Sequence, residues 1–268
     1  MLSRPFSFDV TGEVRAFWCA LASHGRIAPC AWPTRPRRAR RGAQDARPAS
    51  ATVPHFTCSS FDELLLLERF MLPEIETNDL IAHGTLSSLL ARLGEDVSEV
   101  LADAGCHYVV LEPGQRFADV SAVLRRISAG VDSWPIPPAG LCIVEERKVV
   151  LRSISPMTVV HETCHLIDVT LGGGVYLSGI EPRIRRAFNA ATAFCTPYAA
   201  SACDEYMAEC LRAWHGEFSN DPHSLWPKAT RERLQQLDPT MYEIVREIFE
   251  VTIPERAAAL RGHRKAAA

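Results

Sequence analysis

From Phe61 onward, apolar residues recur at intervals that build helices and short strands. The run "FDELLLLERFML", residues 61–72, is helix-like, with Asp62 placed to cap it. "TLSSLLARLGEDVSEVLADAG", residues 85–105, keeps helical spacing and ends on Gly105, a helix stop. "CHYVVLEP" then reads as a strand closed by Pro113 and Gly114, and "FADVSAVLRRISAG" returns to helical period. "GLCIVEERKVVLRS", residues 140–153, splits into two β segments about a polar tip, which predicts a hairpin. Ser155-Pro156 supplies a cap residue and a proline for the first helical position. Val159, Val160, Leu166 and Ile167 carry that helix until Gly172-Gly173-Gly174 stops it. Residues 182–260 are helix-prone, with breaks near Pro197, Asn220-Asp221-Pro222 and Pro239. No repeat is present. The expected class is α+β: a small mixed sheet with a hairpin, then a helix, then a mostly helical C-terminal half.

The first 60 residues differ. "CAWPTRPRRARRGAQDARPASATVP" is rich in Arg, Pro and Ala with one acid, Asp45. Such a stretch buries too little apolar surface to offset its ordering entropy. Residues 1–60 are therefore expected to form a disordered arm, the alternative being an arm that docks on nucleic acid or membrane. Residues 61–258 are the expected folded domain and 259–268 a loose tail.

Composition narrows the function classes. The 268 residues carry 29 basic against 32 acidic side chains, a net charge of −3, which gives no electrostatic reason to expect nucleic acid as the main partner. No run approaches the roughly 18 apolar residues needed to span a bilayer. The apolar run Ala16–Ala22 is short and preceded by Asp9 and Glu13, so no secretory signal is read and the expected location is the cytoplasm. The nine cysteines form no CxxC pair, and an odd count argues against a disulfide framework; they read as small buried hydrophobes. A monomer is expected.

The chemistry centres on "TVVHETCHLIDV", residues 158–169. On a helix, His161 and His165 lie one turn apart on one face and can present ring nitrogens to one metal ion. Glu162 sits about 100° further around, flanking the ion as a base for water. The alternative is two solvated or core histidines. A longer HExxHxxGxxH pattern fails, because Asp168 stands at the glycine and Leu171 at the last histidine. The best third ligand lies in "TPYAASACDEYMAECLRAWHG", where Glu205 and Glu209 share a face of a mostly apolar helix. Buried acids there call for a partner or a metal. Glu205 completes a His₂Glu set, the open catalytic zinc arrangement, one Zn²⁺ per chain. Glu209 would accept the free ring N–H of a ligand histidine. Solvation of both glutamates is the alternative. Asp168, on the ligand face, either backs a histidine or hydrates the helix end.

These residues resemble the catalytic domain of anthrax toxin lethal factor and the related bacterial Pro-Pro endopeptidases. There HExGH is followed by a helix of form E-[FY]-[FM]-A-E-x-[FL]-R whose first glutamate binds zinc; here "EYMAECLR" begins 40 residues after His165. The resemblance spans about Phe61 to Ile253, including "LDPTMYEIVREIF" as a closing helix, and does not cover the arm. It implies a zincin-like fold and zinc on His161, His165 and Glu205. It also implies a tyrosine facing the scissile carbonyl seven residues before the ligand glutamate, which is Tyr198. Members are often secreted, in tension with the missing signal. Cys164 departs from the family's glycine: it either packs or carries a thiolate that blocks the metal.

The function expected is a zinc metalloendopeptidase with Glu162 as base and Tyr198 as oxyanion donor. Its protein or peptide substrate would lie extended along an exposed strand of the hairpin. The alternative is a non-proteolytic relative that binds metal and serves as a binding module or effector.

Overall fold

A computed structural model describes residues 71–127, 130–134, 137–222 and 227–267, all within the unit Phe61–Ala268. The expected arm over residues 1–60, and the helix expected over 61–72 except its last two positions, lie outside the described residues.

The chain enters through β1 (Glu74–Glu76) and α1 (Leu80–Ala91), whose N-terminus is capped by Asp79 Oδ1 accepting the Ile81 and Ala82 amides at 2.8 and 3.2 Å. The single helix expected over 85–105 is two. Gly94 at φ 109° separates α1 from α2 (Glu95–Asp103), and Gly105 at φ 71° ends the second as expected. β2 (His107–Val110) is followed by α3 (Phe117–Val120) and α4 (Ala122–Ile127), broken where Ser121 is extended. The predicted hairpin is present as β3 (Gly140–Ile143) and β4 (Lys148–Leu151), turning through Arg147 at φ 47°.

The four strands lie in the order β1-β2-β4-β3: β1, β2 and β4 are mutually parallel, and β3 runs antiparallel to β4 from the edge. Both faces of the sheet are covered. Val109, Ile143 and Val150 pack with Phe117 and Val123 on one side, while Tyr108, Val149 and Leu151 meet the main core on the other.

That main core is built around α5 (Pro156–Leu171), started by Ser155 Oγ on the Thr158 amide at 3.2 Å and stopped at Gly172. α6 (Leu177–Ile180), α7 (Pro182–Ala190) and α8 (Cys203–His215) follow, with a loop over 191–202 that includes Pro197. α9 (Arg231–Leu237) and α10 (Pro239–Glu247) are divided by Asp238-Pro239. α11 (Ile253–Ala267) runs through residues 259–267 where a loose tail is expected, because Arg261 pairs with Asp96 at 2.8 Å and Arg264 pairs with buried Glu99. The result is mixed α and β, a four-stranded sheet in a mostly helical body. No helix among the described residues is long and apolar enough to cross a membrane.

Candidate metal centre

α5 is a core helix, with His165 only 5 % exposed among Val159, Val160, Cys164 and Leu166. α8 packs across it and brings Glu205 and Glu209, one turn apart, to the same side. Both are buried, at 8 % and 3 % exposure, so solvation does not account for them. His161, His165 and Glu205 form a cluster whose ligand atoms lie within 4.8 Å of one another.

The geometry inside the cluster asks for a cation. The two Nε2 atoms are 3.2 Å apart, and Glu205 Oε2 lies 3.1 Å from one and 3.3 Å from the other. That oxygen is buried and has no aligned hydrogen-bond donor among the described residues. Three lone-pair atoms thus converge with no donor aligned on Glu205 Oε2, the condition in which a divalent ion can replace missing hydrogen bonds. Imidazole nitrogens with one carboxylate suit zinc.

The surrounding groups hold the cluster in place. His161 Nδ1 donates to Glu209 Oε1 at 2.9 Å, the tautomer that would leave Nε2 open to a metal ion. Tyr198 Oη donates to Glu205 Oε1 at 2.8 Å, and its ring centroid lies 5.5 Å from that of His161. On the other flank the Tyr176 ring stands edge-on to His165, 5.7 Å between centroids. Burial opposes ionisation of Glu205, but the His165 and His161 rings outweigh it and hold its carboxyl well below the usual range. Burial likewise opposes Glu209, and Arg212 and His161 overcome it. Glu162 behaves oppositely. Burial raises its pKa despite the two histidines and a hydrogen bond from the Cys142 amide.

One expected role changes and one open choice is decided. Asp168 is completely buried and spends both oxygens on Ser178, accepting its amide at 2.9 Å and its hydroxyl at 2.6 Å. It neither hydrates the helix end nor hydrogen-bonds a ligand histidine; it ties the turn before α6 to α5. Cys164 is fully buried, burial pushes its thiol pKa up, and it is outside the ligand cluster, so the packing alternative holds and the blocking thiolate does not. Sequence reading missed Thr196, Arg212, Tyr176 and Gly140. Arg212 left a signal, the i,i+3 spacing from Glu209; the other three left none.

No protein-family model and no curated protein sequence matches the chain. Among solved structures, a Pro-Pro endopeptidase from Paenibacillus alvei is similar over 68 % of this chain and 99 % of its own, with 18 % identity and a TM-score of 0.47.

Proposed function

We propose that this chain is a zinc-dependent metalloendopeptidase. The reading rests above all on the convergence of His161 Nε2, His165 Nε2 and Glu205 Oε2 beside the half-buried Glu162. Zn²⁺ held by those atoms would supply a Lewis acid and bring the pKa of a water toward about 7. Glu162 accepts the proton of the attacking water on its carboxylate and delivers it to the leaving amine. Tyr198 turns its hydroxyl from Glu205 to the developing oxyanion, a contact worth roughly 2.7–4 kcal/mol.

The substrate strand is β3. Among the described strands it pairs with β4 alone, so an extended peptide would add at its outer edge. The hydrogen bond from the Cys142 amide to Glu162 sets β3 beside the proposed base. A peptide added there would pass the metal ligands with its carbonyls within reach of the site. Gly140 fits the same picture: a Cβ there would lie 2.8 Å from Glu162 Cγ, so the strand approaches the base as closely as backbone can.

Digestion of a peptide library by the zinc-loaded protein and by Glu162→Gln tests this reading. The parent is expected to cleave internal peptide bonds and the variant to lose cleavage while keeping its metal. A zinc-loaded parent that cleaves nothing would overturn the hydrolase and leave a metal-dependent binding module.

A further inference from the structure

Glu209 does more than accept one imidazole proton. Its carboxylate is 3 % exposed and receives four donors. Oε1 takes His161 Nδ1 at 2.9 Å and Arg212 Nε at 2.8 Å. Oε2 takes Thr196 Oγ1 at 2.5 Å and Arg212 Nη2 at 2.7 Å. Two donors on each oxygen saturate a carboxylate, so the group has one orientation in which every partner is satisfied. The donors are themselves anchored. Arg212 Nη1 donates to Ser219 O at 2.7 Å and Asn220 Oδ1 at 3.1 Å, and Asn220 in turn bonds Gly216 O and the Ala229 backbone. Thr196 Oγ1 accepts the Ala199 amide at 3.3 Å, inside the turn that carries Tyr198.

We infer that Thr196 and Arg212 are positioning residues of the metal centre, acting through Glu209. The inference rests on His161 being a zinc ligand and deepens that assignment. Arg212 fixes the plane of the Glu209 carboxylate from within α8, by a two-pronged contact that a lysine cannot reproduce. Thr196 fixes it from the 191–202 loop. One carboxylate therefore joins three parts of the site: the ring of His161, the helix bearing Glu205 and the loop bearing Tyr198. Loss of the threonine hydroxyl removes one of the two donors on Glu209 Oε2 and loosens the loop from the helix. Groups in this position commonly change metal affinity by about 10–100-fold when replaced, since an unfixed imidazole must be ordered at binding.

The test is zinc affinity by chelator competition, which needs no substrate. Thr196→Val keeps size and branching but removes the hydroxyl, and is expected to weaken zinc binding about tenfold. Thr196→Ser restores the donor and is expected to bind as the parent does. A merely structural threonine would not give this pattern of loss with Val and rescue with Ser at equal melting temperature. Val binding zinc as tightly as the parent, or Ser binding as weakly as Val, overturns the inference. If the Val variant does not fold, Arg212→Lys decides by the same measurement: a loss of about tenfold supports the inference, and parental affinity overturns it. A parent chain that binds no zinc would overturn the inference together with the metal assignment beneath it, whereas a zinc-binding parent with an indifferent Val variant overturns the inference alone.

Discussion

The Tyr198 hydroxyl and Glu205 are joined by a hydrogen bond of 2.8 Å to Oε1, on the oxygen of the carboxylate opposite the one that faces the two imidazoles. A phenol so placed touches the carboxylate proposed as the third metal ligand, on the side where a substrate carbonyl would have to meet it. Burial raises its pKa well above the usual value, and the glutamate adds to this, so the group remains a donor. Tyr198→Phe is expected to lower kcat and kcat/KM together by on the order of 10²–10³ with KM and melting temperature nearly unchanged. Steady-state kinetics check this; a Phe variant with parental kcat would remove Tyr198 from the chemistry.

Gly140 gives a second expectation. A Cβ at this position would lie 2.8 Å from Glu162 Cγ, 2.9 Å from Thr158 Cγ2 and 3.2 Å from Leu151 Cδ2. All three contacts are too close, so β3 or Glu162 must shift. Gly140→Ala should cost about 1–3 kcal/mol of stability by overpacking and lower kcat by on the order of 10², the penalty of misplacing a reacting group by an ångström. Thermal melting and kinetics together read both effects, and an alanine variant with parental values would place the strand further from the base.

His215 sets part of the acid limit of stability. Its Nε2 is buried without a hydrogen-bond partner among the described residues, its ring stands edge-on to Phe218 and Phe249, and Arg231 lies nearby. Burial and then Arg231 lower its pKa to about 3 from 6.5, so between those values the unfolded chain binds the proton and the folded one does not. Stability is therefore present above pH 6.5 and lost as pH falls toward about 3. Denaturant unfolding of the chelated protein at several pH values should show a smaller acid loss for His215→Phe than for the parent. An equal loss would assign the slope to other groups.

Much of this was legible in the sequence, for reasons that differ by element. The hairpin, the Ser155-Pro156 start and the triple-glycine stop of α5 rest on local chemistry that tertiary contacts did not override. The break at Gly94 was missed because the apolar spacing continues across it, and periodicity does not register a residue at φ 109°. The helix through Ala267 was missed because its anchors, Asp96 and Glu99, are more than 160 residues away in sequence. At the site, i,i+4 spacing brought His161 to His165 and Glu205 to Glu209. Thr196, Tyr176 and Gly140 carry no periodic signal, since each matters through a neighbour on another element. Asp168 was misassigned because facing the ligand side of a helix does not say which donor arrives first, and the Ser178 amide does.

Metal content of the purified chain tests the central assignment most directly. After loading with Zn²⁺ and dialysis, the parent and Glu162→Gln should each retain close to one zinc per chain, because Glu162 is outside the ligand cluster. Glu205→Gln, which removes a charged ligand from between two imidazoles 3.2 Å apart, should retain far less. Equal zinc in Glu205→Gln and the parent, or none in the parent, would contradict a metal centre built on His161, His165 and Glu205.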